Sequence, residues 1–285
     1  MSQSVSAIWR YPVKSMQGEQ LDAAEMGERG LAGDRAYGLI DVESGYVASA
    51  KNPRRWGMLF ECRAEYLEPP EPAGDPPPVR ITLPDGTTVQ SNDPDVDRAL
   101  SRVVGRDVRL EAAAPAQPTY EDFVPDIEGS KPELRGTVKL AQLALLAPGT
   151  FFDAAPVHVV TTSSLDALAA AYPSGRFDAR RFRPNVLIDT GASDAGGYVE
   201  NAWVDQSLRI GDRVTLYVVL AAPRCVMTTL AQPDLPADKG VLRTIARENR
   251  FDIPGLGPSS CVGVYGLVSA GGRVAVGDPA GVEPL

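Results

Sequence analysis

Val5-Ser6-Ala7-Ile8-Trp9-Arg10-Tyr11 alternates, with Val5, Ala7, Trp9 and Tyr11 on one face. A period of two marks a strand rather than a helix. The stretches that follow read the same way. Residues 36–42 and 45–50 are two further candidate strands around the turn Glu43-Ser44-Gly45. In 58–67, Met58, Phe60, Cys62, Ala64 and Tyr66 face one way and Glu61, Arg63 and Glu65 the other. Val79–Leu83 and Thr87–Gln90 flank Pro84-Asp85-Gly86, a hairpin signal. One helix interrupts the strands. Asp93 can cap it, Pro94 suits its first turn, and Val96, Leu100, Val103 and Val104 line one side before Gly105. Short strands with a single helix predict a small β-barrel.

Residues 113–137 are polar, proline-bearing and acidic, with Glu121, Asp122, Asp126 and Glu128. They are expected to form a linker or a long surface loop. The second half mixes strands (157–161, 185–190, 214–221, 262–268 and 273–277) with helices at about 164–172 and 239–249. Leu208-Arg209-Ile210-Gly211-Asp212 and Val274-Ala275-Val276-Gly277-Asp278 each read as a strand ending in a Gly-Asp turn. The expected fold is mainly β with some α, in two intertwined modules. An N-terminal β-barrel covers residues 1–120, a mixed α/β barrel covers 121–285, and the active site lies in the cleft between them.

Composition narrows the function. The 285 residues carry a net charge of -9, which argues against a nucleic-acid-binding face. The one histidine, His158, rules out a multi-histidine metal site and is expected to be a packed strand residue. Cys62, Cys225 and Cys261 are too far apart for a C-x-x-C pair, and their sparse, odd number suits a reducing compartment. Met1 to Val5 lacks the basic and apolar regions of a signal peptide, and no stretch has the roughly 20 apolar residues of a membrane helix. The expectation is a soluble, cytoplasmic protein with no nucleic-acid or membrane partner.

Local positive charge stands out against the acidic average. Residues 176–183, Arg-Phe-Asp-Ala-Arg-Arg-Phe-Arg, hold four arginines in eight positions. Such a run is either a solvated loop or an anion clamp, because guanidinium binds phosphate in a bidentate fork. Lys14 and Arg35 sit at strand ends near Gly18 and Gly33. Cys225, in Ala222-Pro223-Arg224-Cys225-Val226-Met227-Thr228-Thr229, leaves an apolar strand beside an arginine, so its thiolate is expected to be favoured. Cys62 and Cys261 fall in packed, apolar contexts.

Five motifs in order carry a resemblance over nearly the whole chain. They are Tyr11-Pro12-Val13-Lys14-Ser15, Gly30-Leu31-Ala32-Gly33-Asp34-Arg35, Phe152-Asp153-Ala154-Ala155-Pro156, Phe182-Arg183-Pro184-Asn185, and Arg224-Cys225 with Thr228-Thr229. The sequence resembles a MOSC-domain protein with the MOSC N-terminal β-barrel domain, similar to the mitochondrial amidoxime reducing component and its bacterial relatives. The resemblance implies a molybdenum–molybdopterin cofactor between the modules, with Cys225 as thiolate ligand to molybdenum. Lys14, Ser15, Arg35, Arg183, Asn185 and Arg224 match cofactor-binding positions, and the backbone around Asp153, Ala154 and Ala155 completes the pocket. A general label of pyridoxal phosphate binding also attaches to the family. Relatives often place hydroxyl residues where this chain has Ala154 and Ala155, and Pro223 removes an N–H before Arg224-Cys225.

The implied activity is reduction of N-hydroxylated substrates, such as amidoximes and hydroxylated bases. Three cysteines cannot hold a four-cysteine iron–sulfur cluster, so electrons are expected from a separate redox protein. Two other readings stand beside it: a molybdenum-cofactor or sulfur carrier without turnover, and a two-barrel module that binds some other anion.

Overall fold

The first strand spans Gln3–Arg10, but its buried face changes partway along. Its register against Val186–Asp189 slips between Val5 and Ala7, so Ser6 is the extra residue of a β-bulge. The bulge brings Val5 and Ile8, three apart, into one core and leaves Trp9 half-buried. The single face read from simple alternation is corrected accordingly. The computed structural model that shows this describes residues 3–127, 130, 132–142, 146–147, 149–191, 196–254 and 256–283. Glu128 of the acidic segment lies outside the described residues.

From Gln3–Arg10 the sheet runs through Pro279–Glu283, Ser207–Ile210, Val214–Pro223, Gly257–Ala270, Val157–Thr161 and Val186–Asp189, and back to the start. The ring is a closed seven-stranded barrel, which leaves none of these strands as a free edge. Its interior is apolar, with Val5, Ile8, Val159, Val186, Leu208, Leu216 and Val264 all nearly inaccessible. Burying each such side chain stabilises the fold by about 1.5–3 kcal/mol, as an upper estimate. The N-terminal strand thus completes a barrel of C-terminal strands. In return, Gly272–Ala275 pairs with Ala23–Gly27. These two exchanges make the modules intertwined.

The first half has its own core around Val13, Met16, Trp56, Leu59, Ile81 and Leu100. Val79–Thr82 and Thr88–Gln90 pair across the expected hairpin, with Gly86 at φ 85°. The helix spans Val96–Val104 and ends at Gly105 in the left-handed region. Three expectations change. Of 45–50, Val47 alone makes bridges, to Ile40 and Tyr120. Residues Gly57–Glu61 form a 3-10 helix, which follows directly from the Pro53–Trp56 turn and buries Leu59 and Phe60 together, so the strand begins at Arg63. The supposed loop contains a strand, Thr119–Phe123, paired with Val138–Gln142. Buried Tyr120, with Thr119 and Phe123, outweighs the acidic residues there.

Two helices, Thr162–Ala171 and Lys239–Glu248, cover one side of the barrel. Thr161 and Asp238 cap them by accepting from Ser164 N and Gly240 N. Their apolar faces enclose Phe182 with Leu168, Val241, Leu242 and Ile245. That packing fixes the segment leading to Arg183. Among the described residues no helix is long and apolar enough to cross a membrane.

Candidate functional site

Among the described residues four non-glycine residues have positive φ: Ser15 (66°), Arg35 (48°), Arg183 (55°) and Asp205 (62°). Three of the four lie in the motifs singled out from sequence. Backbone strain of this kind persists where surrounding structure over-determines it, commonly at ligand sites. Here the three turns aim loops from both modules at one cleft. Its walls include Arg35, Lys51, Phe152, Asp153, Ala155, His158, Arg183, Asn185, Arg224, Cys225 and Tyr265.

Cys225 follows the Val214–Pro223 strand and precedes a short 3-10 turn, Val226–Thr229. Thr228 ties that turn back, its N and Oγ1 both donating to Cys225 O at 3.2 and 3.1 Å. Arg224 turns away from the thiol. Its Nη2 donates to Phe182 O at 2.8 Å, and its Nη1 lies 3.3 Å from His158 Nε2. Burial pushes the Cys225 thiol up from its ordinary value, with Lys51 pulling the other way. The expected thiolate preference from Arg224 is therefore corrected: the neighbouring cation is Lys51, and burial outweighs it. Cys62 and Cys261 are fully buried, as their contexts predicted, and burial pushes their thiols up to about 12 and about 11.

Asp34 organises one wall. Its Oδ1 accepts from Tyr11 N at 2.7 Å, and its Oδ2 accepts from Asn185 Nδ2 at 2.9 Å and pairs with Arg35. Arg35 also donates to Arg183 O, and both guanidiniums contact the Tyr11 ring, 4.8 and 4.1 Å from ring centre to carbon. Among the described residues Arg183 finds a single acceptor, Met16 O at 2.6 Å, and burial pulls it down to about 10. On the opposite wall Lys14 Nζ donates to Asp153 Oδ1 at 2.7 Å and to Phe151 O at 2.9 Å. Burial pulls Lys14 down to about 8, although Asp153 resists this. Lys14 and Lys51 together hold the Asp153 carboxyl well below its ordinary range against the opposing effect of burial.

Not every motif residue faces the cleft. Ser15 is buried, and its hydroxyl accepts from Ala50 N at 3.1 Å. Ala154 packs toward Ala222 and Tyr265 beside the cleft. Lys14 lies just behind Asp153. Sequence reading missed Lys51, Phe152 as a wall, Tyr265, and His158 as a neighbour of the site. His158 is a buried strand residue as expected, yet it also borders the cleft. Burial, then Arg224, hold its imidazole well below the ordinary value, so it is neutral. One signal for Lys51 was available: five of the 28 basic residues are lysines, and one of them follows the small, apolar run Ala48-Ser49-Ala50.

The charge inventory tests what could bind. Arg181, at the same wall, is satisfied by four backbone carbonyls. Apart from it, five cations (Lys14, Arg35, Lys51, Arg183 and Arg224) face two carboxylates, Asp34 and Asp153. Arg224 Nε is buried with no hydrogen-bond partner among the described residues. Lys14 and Arg183 are buried, and Arg35, Lys51 and Arg224 are half-buried. Cations withdrawn from water in excess of their counter-charges are costly, so the cleft fits a multiply charged anion. Among the described residues no three His, Cys, Asp or Glu side chains gather as a metal-holding group. The molybdenum–molybdopterin group that the family resemblance implies is anionic through its phosphate and would bring metal ligands of its own to Cys225, so it fits this charge.

Residues 2–113 match the MOSC N-terminal beta barrel domain and residues 147–280 the MOSC domain. The chain is 26% identical over 294 residues to mitochondrial amidoxime reducing component 2 of Rattus norvegicus, covering 97% of this chain and 82% of the relative. It is 27% identical over 301 residues to mitochondrial amidoxime-reducing component 1 of Homo sapiens, covering 97% and 82%. A crystal structure of the YUAD protein from Bacillus subtilis aligns with 100% of this chain and 97% of that one, at 12% identity and a TM-score of 0.47. The chain thus carries a MOSC N-terminal beta barrel domain followed by a MOSC domain.

Proposed function

We propose that the cleft holds a molybdenum–molybdopterin cofactor, and that the protein reduces N-hydroxylated compounds with electrons from a separate redox protein. The observation that carries this reading is the excess of buried and half-buried cations over carboxylates around one cysteine, in a chain similar to the amidoxime reducing components. Such a cofactor supplies two-electron chemistry with removal of an oxygen atom. In the balanced reaction an N–O bond breaks. Two electrons from the partner and two protons then give the N–H product and water.

The chain's own residues divide the remaining work. Cys225 offers one soft ligand, with its carbonyl tied down by Thr228. Arg35, Lys51, Arg183 and Arg224 bind anionic oxygens. Neutral His158 and Phe182 O hold Arg224 in place. Phe152 and Tyr265 shape the apolar side of the cleft and limit access of water. Pyridoxal phosphate, the family's other label, has weaker support, since it needs a lysine free to form an imine and both cleft lysines are tied to Asp153. All three cysteines are free, which suits a reducing compartment such as the cytoplasm.

The test is turnover of an aryl amidoxime by protein made in a cofactor-competent host and supplied with a competent reductase. Cys225→Ala should abolish it, since the soft ligand that the chain offers the metal is then gone. Retained activity contradicts the role given to Cys225. Bound molybdenum without turnover of any N-hydroxylated compound favours the carrier reading.

A further inference from the structure

His158 lies outside every motif that carries the family resemblance, yet it meets three residues of those motifs. Its backbone N donates to Asn185 Oδ1 at 3.0 Å, and its carbonyl accepts from Asn185 N at 2.8 Å. In its buried ring, Nδ1 lies 3.5 Å from Arg183 O and Nε2 lies 3.3 Å from Arg224 Nη1. The place is shaped for a ring. Tyr265 packs against it with centroids 5.2 Å apart. On the other strand Gly263 leaves room, since a Cβ there would sit 2.6 Å from His158 Nε2.

Nε2 has a second neighbour of the opposite kind, Val262 O at 3.2 Å. A neutral imidazole has one N–H and one lone pair, so Nε2 cannot serve both a donor and an acceptor. With the proton on Nδ1, the ring donates to Arg183 O and accepts from Arg224, and Val262 O alone faces a lone pair. With the proton on Nε2, the ring serves Val262 O, and the contacts with Arg183 O and Arg224 both turn repulsive. The Arg224 guanidinium can only donate, and its charge makes that bond the stronger one. An imidazolium would suit both carbonyls but would set two cations 3.3 Å apart, and burial with Arg224 keeps the ring neutral. The proton on Nδ1 also completes a chain. Arg35 Nη2 donates to Arg183 O at 3.2 Å, so that carbonyl joins Arg35 to His158, and His158 joins it to Arg224.

Resting on the reading of the cleft as a cofactor site, we infer that His158, with its proton on Nδ1, is a positioning residue that links Arg35, Arg183 and Arg224 and sets the spacing at which they meet the cofactor's anionic oxygens. Its work is not confined to Arg224. One ring ties a loop of the N-terminal module to two loops of the C-terminal one.

The chain has one histidine, so in untagged protein every imidazole nitrogen signal belongs to His158. Nuclear magnetic resonance of the cofactor-free wild type at neutral pH should show Nδ1 protonated and Nε2 bare. A proton on Nε2, or on both nitrogens, overturns the inference and leaves the cofactor reading standing. A second arm reads molybdenum and pterin per chain after gel filtration in wild type, His158→Leu and His158→Gln from a cofactor-competent host. His158→Leu should retain about tenfold less cofactor, the size of one charge-assisted hydrogen bond. Its cofactor-free form should melt within about 4 °C of wild type, because a side chain of similar volume fills the place. His158→Gln, whose amide can both donate and accept, should recover most of the cofactor. Wild-type cofactor content in His158→Leu overturns the inference alone. So does a loss in His158→Gln as large as that in His158→Leu. A wild type without molybdenum or pterin overturns the cofactor reading, and the inference falls with it.

Discussion

Two clusters of positive charge adjoin in the chain and behave in opposite ways. In 176–181 each arginine is matched. Arg176 donates to Asp234 O, and Arg180 grips the carboxylates of Asp178 and Asp234. Arg181, 1% exposed, donates to the carbonyls of Arg176, Thr228, Leu230 and Pro236. This charge staples the 228–236 loop to the segment before Arg183. In the cleft, two residues further on, Arg183 finds one carbonyl, and Lys14 and Lys51 share one carboxylate. The first cluster holds the fold together. The second leaves charge for a ligand. Arginine density in the sequence does not distinguish them; the supply of acceptors does.

The largest test of this contrast exchanges Arg181 and Arg183 for methionine, one at a time. Arg181→Met leaves one buried and three part-buried carbonyls without their partner and should cost about 3 kcal/mol in urea denaturation of the cofactor-free protein. Arg183→Met removes one hydrogen bond and the contact with the Tyr11 ring but also relieves repulsion from Arg35, and should cost about 1 kcal/mol. Cofactor content should respond mainly to Arg183. Equal stability losses would erase the distinction.

The pH dependence should sharpen the contrast at intermediate size. Burial pulls Lys14 down to about 8 in the folded protein, from an ordinary value of 10.5. Between those values the unfolded chain keeps a proton that the folded chain has released. Lys14 should therefore make the cofactor-free protein more stable as pH rises from about 8 to about 10.5, a contribution absent below 8. Over the same range the cleft loses positive charge and should bind anions less well. The difference between wild type and Lys14→Met in urea midpoints across that range reads the effect, and a flat difference contradicts it. The smallest expected effect is at Arg180, whose side chain is 36% exposed. Arg180→Gln should cost about 0–1 kcal/mol and leave cofactor content unchanged. A larger loss would mean that this cluster, too, supports the cleft.

Local signals carried much of the fold. The hairpin at Asp85-Gly86, the helix ending at Gly105, and the strands at 157–161 and 214–221 all rest on turn chemistry and periodicity within a few residues. What escaped was decided by distant partners. The bulge at Ser6 is set by the register of Val186–Asp189. The 3-10 turn at 57–61 and the strand at 119–123 are set by packing that buries Leu59, Phe60 and Tyr120. In the site, the motifs named loops that do converge, because the strained turns at Arg35 and Arg183 are flanked in sequence by turn residues, Gly33-Asp34 and Pro184. Lys51 could not be read that way. Its place depends on Asp153 and Tyr120, which lie some seventy or more residues further along.

The most direct test of the central claim is molybdenum per chain, by mass spectrometry, in wild-type protein from a cofactor-competent host with Cys225→Ala beside it. A cleft built for this cofactor should give about one molybdenum per wild-type chain and less in the variant, since one soft ligand is gone. Wild-type protein free of molybdenum would contradict the account and return the cleft to some other anion.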